Sequence, residues 1–243
     1  GRDAWIREHF TARRIAEVFA HCQELGVNAT MGPLFPRLVE ALDETTRLTG
    51  QPMIWVATTS MDRFPPGQQE AYDAARRAGR MEEAMALNRA SIAEQVAELK
   101  EAGASFCLVH GACADHWPLE GDTLPGFADT MSLIRAAGMV PGSAAHTAGR
   151  IAILDRPEHA AAVLATPVNK GGWHMAPSRD EAMACYAHLR CPLISIKPLA
   201  CGRYEAEGEV GNWLRWAAAA PGVAIVALGL MIEQEADQSI PIL

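Results

Sequence analysis

The chain has 243 residues, 49% of them hydrophobic and 21% charged, which is enough apolar material for one domain with a sizeable core. Its formal net charge of −8 argues against nucleic acid and an anionic membrane surface as partners, because both require a basic face. No apolar run reaches the ~18 residues that a membrane-spanning helix needs. The six cysteines contain no C-x-x-C pair, so we expect reduced thiols and a cytoplasmic protein.

Amphipathic helices and short apolar strands alternate along the chain, and a glycine closes several of the helices. The predicted helices cover 10–25, 34–48, 80–102, 123–137, 147–162, 178–190 and 205–219, and the predicted strands cover 27–30, 53–59, 105–110, 139–145, 163–168, 192–197 and 223–229. The stretch 64–79, rich in Pro, Gln and Arg, is interpreted as an insertion with a short helix.

Strands that are apolar on both faces predict a parallel sheet that is covered by helices. We therefore expect a single α/β domain over residues 1–243, a (βα)8 TIM barrel with its active site at the C-terminal ends of the strands. Seven strands are predicted where a closed barrel needs eight, so the first strand is expected upstream of Gly1 or missing from the chain. An open doubly wound sheet competes with this fold, but no G-x-G-x-x-G or phosphate-loop motif supports it.

Three residues that can do chemistry stand at predicted strand ends, namely His110, His146 and Lys197. Because the carboxyl ends of barrel strands open on one mouth, we predict that these three are catalytic. A histidine with a pKa of ~6.5 suits proton transfer at neutral pH. The alternatives are hydrogen-bonded structural histidines, and a salt bridge from Lys197 to a carboxylate at the barrel rim.

Further residues near the strand ends are predicted to bind substrate. Asn169 could orient a substrate carbonyl or cap a loop. Trp173 and His174 follow two glycines, in a loop that could cover a pocket or simply be exposed. Gly202 and Arg203 lie where TIM barrels often bind phosphate, and an arginine on a flexible backbone suits an anionic group.

Three short motifs carry a resemblance to a known family: ELGVN at 24–28, LVH at 108–110 and KPLACGR at 197–203. In their order and spacing they resemble the second, fourth and seventh strands of the aldo-keto reductase superfamily. The chain looks most similar to a divergent, little-characterised bacterial branch of that barrel group.

The resemblance implies a catalytic group of Asp, Tyr, Lys and His that protonates a carbonyl while NADPH delivers hydride. His110 matches the family's histidine. Thr30, which we predict to contact substrate, stands near the aspartate position, Thr58 or Thr59 stands at the lysine position, and the segment 31–35 has no tyrosine. Most of the catalytic group is therefore missing.

The cofactor positions also differ from the family pattern. The family's Ser-Asn pair after the fifth strand is replaced by Ala145 and His146, and the segment 229–233 lacks the basic and hydroxyl residues that hold the adenylate phosphate. We therefore do not expect NADP as a cofactor.

Four functions remain open, and the first is favoured. It is acid–base chemistry on a polar or sugar-like carbonyl compound, of the isomerase, epimerase or lyase type, in which Lys197 polarises the carbonyl, holds an anion or forms a Schiff base. The second is a divalent-metal isomerase or hydrolase that uses His110 and His146. The third is a divergent NADP-dependent oxidoreductase, and the fourth a non-catalytic binding barrel.

The loop that holds Cys113, Asp115 and His116 is a weaker candidate for a metal site. The expected partner is a small-molecule substrate, and the sequence leaves open whether the protein forms a homo-oligomer.

Overall fold

The computed structural model describes residues 10–60, 64, 67–206 and 209–243. The α-helices are α1 (Ala12–Glu24), α2 (Pro36–Thr49), α3 (Gln68–Arg77), α4 (Met81–Glu101), α5 (Gly111–Asp115), α6 (Phe127–Ala136), α7 (Ala148–Leu154), α8 (Arg179–Tyr186), α9 (Val210–Ala218) and α10 (Glu233–Ser239). The strands are β1 (Ala29–Pro33), β2 (Ile54–Thr58), β3 (Phe106–Val109), β4 (Val140–Ala144), β5 (Val163–Pro167), β6 (Leu193–Ile196) and β7 (Val223–Val226). Short 3-10 helices cover Pro157–His159, Ala200–Ala206 and Ile240–Ile242.

The seven strands form one sheet in sequence order, and every neighbouring pair is parallel. The predicted parallel α/β architecture is confirmed to this extent. The eighth strand is not shown, because within the described ranges no strand pairs with the outer edge of β1 or of β7. An apolar cavity of about 1380 Å³ is lined by residues of both edge strands, among them Met31 and the half-exposed Ile225.

Side chains alternate between the two faces of the sheet, as the period of two in a β-strand requires. On β2, Trp55 packs into the large core between sheet and helices, whereas Val56 belongs to a smaller cluster on the opposite face. On β3, Cys107 and Leu108 divide in the same way. Both faces are therefore covered, which explains why the strands are apolar throughout.

The first strand differs from its predicted position, since it spans Ala29–Pro33 and not 27–30. The helix before it ends near Gly26, whose φ of +91° suits a residue without a side chain. The chain then needs two more residues before its hydrogen bonds to β2 begin, with Asn28 accepting from the backbone N–H of Ile54. Thr30 is consequently the second residue of its strand and not the last.

Two helices, α5 and α10, were not predicted, and the helix expected at 205–219 begins only at Val210. None of the six cysteines, all within the described part of the chain, forms a disulfide. Among the residues that the structure describes, no helix has both the length and the apolar character needed to cross a membrane.

Candidate active site

Lys197 and His146 lie in contact at the carboxyl ends of the strands. Lys197 directly follows β6 and His146 lies two residues beyond β4, with β5 between the two strands. The long lysine side chain spans that gap, so its Nζ atom lies 2.9 Å from Nε2 of His146. Two of the three residues that the sequence predicted as catalytic therefore share one mouth.

Asp115, at the end of α5, holds the other side of the same imidazole. Its Oδ2 lies 2.7 Å from Nδ1 of His146, and its Oδ1 accepts a 3.0 Å hydrogen bond from the backbone N–H of His146. An ionised carboxylate can only accept hydrogen bonds, so Nδ1 carries a proton, and in the neutral imidazole Nε2 presents its lone pair to Lys197. Burial acts to raise the pKa of Asp115, but the hydrogen bonds from His146 lower it below its ordinary value.

The short helix α5 is fixed at both ends. At its start, Nδ1 of His110 accepts a 3.2 Å hydrogen bond from the backbone N–H of Ala112, and the N–H of His110 donates to Oγ1 of Thr59 at 3.0 Å. At its end, Arg150 donates to the backbone carbonyl of Asp115 at 3.0 Å. His110 thus caps the helix that delivers Asp115 to the site.

The role of Asp115 was not predicted from the sequence. Residues 113–116 were expected to form a loop with weak metal-ligand character, whereas α5 extends through Asp115. A signal was present, because a carboxylate one helical turn after a strand end lies on the same rim as the neighbouring strand ends.

Lys197 is half-buried and has a left-handed backbone, with φ of +56°. Burial lowers the pKa of its ammonium group, and the nearby Cys201 and Asp115 offset only part of that effect. The amine is therefore neutral more often than that of an ordinary surface lysine. Neutral lysines act as nucleophiles and bases.

An aromatic and cationic rim borders the same mouth. The ring centroid of His174 lies 5.8 Å from that of His146, and Trp173 meets His174 edge-on at 4.1 Å. The guanidinium of Arg203 lies over the Trp173 ring, 4.4 Å from its centroid. Partial desolvation, then the positive charge of Lys197, lowers the pKa of His174.

The three other residues that were predicted to contact substrate lie in different parts of the structure. Asn169 is fully buried and caps the loop, since its side chain accepts from the N–H of Trp173 at 2.8 Å and donates to the carbonyl of Trp173 at 2.9 Å. Gly202 lies in the turn after β6 with φ of +89°, next to Arg203. Thr30 lines the apolar cavity at β1.

The metal hypothesis requires ligands that this site does not assemble. Within residues 10–60, 64, 67–206 and 209–243, no group of three or more His, Cys, Asp or Glu side chains is arranged to hold an ion. The two ring nitrogens of His146 face Asp115 and Lys197, so Nζ of Lys197 occupies the position from which a metal ion would bind Nε2. The donor set does not fit a metal centre.

Neither a protein-family model nor a curated protein matches this sequence. Among solved structures, an aldo/keto reductase from Brucella melitensis superposes with a TM-score of 0.55 at 11% identity, over 96% of this chain and 84% of that one. The fold is that of an aldo-keto-reductase-like barrel. The apo form of Gox0644 gives a TM-score of 0.49 at 14% identity, over 95% and 79% of the two chains. Nitroalkane oxidase from Streptomyces ansochromogenes gives 0.44 at 15%, over 88% and 60%.

The residues expected at the family's lysine and amide-binding positions make structural contacts or belong to the site described above. Thr58 and Thr59 are both buried, and Oγ1 of Thr59 accepts from the backbone N–H of His110. His146 is held between Asp115 and Lys197.

Proposed function

We propose that this protein is an enzyme that transfers a proton on a small, polar carbonyl compound, as an isomerase, epimerase or lyase does. The observation that carries the proposal is the continuous chain of contacts from Asp115 through His146 to Lys197. A carboxylate, an imidazole and an amine in this order form a general base whose tautomer and direction are fixed.

His146 is the proposed acid–base residue. With Nδ1–H directed at Asp115, its Nε2 lone pair can take a proton from the carbon next to a carbonyl and return it elsewhere. Asp115 is a positioning residue, because it also stabilises the imidazolium that forms. Lys197, in contact with the same nitrogen, activates the carbonyl.

The rim suggests a substrate with an anionic or hydroxyl-rich end. Arg203 and His174 supply donors beside the reacting groups in a chain whose net charge is −8, and Trp173 offers an apolar face to a small carbon skeleton. We keep Gly202 with Arg203 as a proposed anion contact. Asn169 contributes by holding the Trp173 loop.

For His110 and Thr30 we propose roles outside the proton transfer by His146. Gly111 lies against the imidazole of His146, so its neighbour His110 borders the site and could serve as a second acid–base group. Thr30 lines the cavity at β1, where a longer substrate could reach. Neither residue is needed for the proton transfer assigned to His146.

Hydrogen exchange tests the proposal without knowledge of the natural substrate. The full chain is incubated in D2O with dihydroxyacetone, glyceraldehyde, pyruvate and their phosphorylated analogues, and proton NMR follows the loss of signal at the carbon next to the carbonyl. Exchange that His146→Gln abolishes and the surface variant His188→Gln retains supports the proposal. No exchange on any compound, or consumption of added NADPH in place of exchange, would contradict it.

A further inference from the structure

We infer that Lys197 forms a covalent imine with the carbonyl carbon of its substrate, while His146 takes up and returns the protons. This inference deepens the proposed function and rests on it, since it states how Lys197 activates the carbonyl. It also narrows the substrate to an aldehyde or ketone, and excludes esters, amides and carboxylic acids as the reacting group.

The first support is the direction of the hydrogen bond between the two residues. With Asp115 accepting from Nδ1 of His146, the neutral imidazole has its lone pair on Nε2, and Nζ of Lys197 donates to it across the 2.9 Å separation. A lysine that is to attack a carbonyl has to lose a proton first. The structure places an acceptor for that proton in direct contact with the amine.

The second support is the surroundings of the amine. Lys197 makes its contact with Nε2 of His146, and no ion pair of Lys197 with a carboxylate is found among the described residues. Burial lowers the pKa of the amine. The alternative considered from the sequence, a salt bridge at the rim, is therefore not what the structure shows.

The third support is the backbone at the end of β6. Lys197 has φ of +56°, in the left-handed region that residues with side chains rarely adopt. A salt-bridging lysine at a rim needs no such conformation. Here the turn directs the amine toward His146, two strands away, at the point where the mouth is bordered by His174.

The chemical step balances with these groups alone. Nε2 of His146 takes a proton from the ammonium of Lys197, and the freed lone pair on Nζ forms a bond to the carbonyl carbon. The π electrons of C=O move to oxygen, which receives a proton from the His146 imidazolium and gives a carbinolamine. A further N–H proton passes by way of His146 to that hydroxyl, which leaves as water, and C=N forms. No oxidant or reductant takes part, and the imine acidifies the neighbouring C–H bond that the proposed function requires.

The sequence allows a clean test, because it contains only three lysines, Lys100, Lys170 and Lys197. The full chain is mixed with dihydroxyacetone, glyceraldehyde or pyruvate and treated with sodium borohydride, which reduces an imine to a stable secondary amine. Peptide mass spectrometry then measures occupancy at each lysine. We expect Lys197 to be labelled at least tenfold more than Lys100 and Lys170, which act as internal controls.

Two variants keep the test decisive. Lys197→Arg preserves the positive charge and should give no preferential adduct, and His146→Gln should reduce labelling of Lys197 about tenfold with an unchanged circular dichroism spectrum. Equal labelling of the three lysines would overturn the inference. Hydrogen exchange on a ketone without an adduct at Lys197 would overturn the imine and leave the proposed function standing, whereas an adduct without exchange would support the imine and remove the proton transfer.

Discussion

Nζ of Lys197 lies 2.9 Å from Nε2 of His146, although the two residues are 51 positions apart in the sequence. The contact exists because parallel strands in sequence order bring their carboxyl ends to one edge.

Replacement of His146 should lower the hydrogen-exchange rate more than replacement of any surface histidine. General acid–base residues typically contribute about 10²–10⁴-fold in rate, so His146→Gln should lower hydrogen exchange by at least ~100-fold. Exchange rates from NMR check this, with His188→Gln as the matched control because His188 is exposed. A loss of less than threefold would show that the imidazole is structural.

Gly111→Ala should disturb the site without touching any charged group. An added Cβ at Gly111 would lie 2.8 Å from Cε1 of His146, so the imidazole has to move from its position between Asp115 and Lys197. We expect a tenfold or greater loss of exchange with little change in Tm. Gly149→Ala is the control, since nothing lies within 4 Å of its added Cβ. Equal activity of the two variants would mean that the His146 position is not critical.

Most of the fold could be predicted from the sequence, because buried strands and amphipathic helices leave a strong periodic signal. All seven strands lie within two or three residues of the predicted positions. The convergence of His146 and Lys197 could be predicted as well, since it follows from strand order. Asp115 was missed, because its role depends on a five-residue helix that is fixed by a local cap from His110 and by a tertiary hydrogen bond from Arg150. Asn169 could not be assigned either, since the choice between capping a loop and facing a substrate depends on burial.

The pH dependence of labelling at Lys197 should differ from that of the other two lysines. Imine formation requires the neutral amine, and burial lowers the pKa of Lys197. Its labelling rate should therefore rise with pH and reach a plateau at a pH below the ordinary lysine pKa of about 10.4. Besides burial, the charges of Cys201 and Asp115 act on the pKa of Lys197. Labelling with a small aldehyde across pH 6–11 measures the three profiles. A profile at Lys197 that coincides with that of exposed Lys100 would contradict the expectation.

Asp115→Asn should alter both activity and acid stability. The pKa of Asp115 is lowered in the folded protein, so its contribution to stability is fully present above the unfolded value of about 3.9 and is lost as the pH falls through the folded value. The variant should therefore show a shallower loss of stability below about pH 4 in denaturant titrations. Its exchange rate should also fall, because an amide no longer fixes the proton on Nδ1 of His146. Identical acid unfolding of variant and wild type would argue that Asp115 is not ionised in the site.

Chelation should leave the hydrogen exchange unchanged. The described residues assemble no group of three metal-ligating side chains, and the proposed steps use only Asp115, His146 and Lys197. Dialysis against EDTA followed by the NMR assay, with elemental analysis of the protein, checks this. If exchange were lost on chelation and restored by a divalent cation, the reaction would depend on a metal ion and not on the proposed proton transfer alone.

The left-handed turn after β6 also limits how heat-resistant this protein can become while it keeps its chemistry. Lys197, Ala200 and Cys201 all have positive φ, at about 1–2 kcal/mol each for a residue with a side chain. Glycine would relax each position, so selection for thermal tolerance should favour Cys201→Gly among variants that remain active. Lys197→Gly would remove the same backbone strain, but it would also remove the amine on which the proposed activity depends. A screen that selects only for thermal stability would therefore favour loss of Lys197.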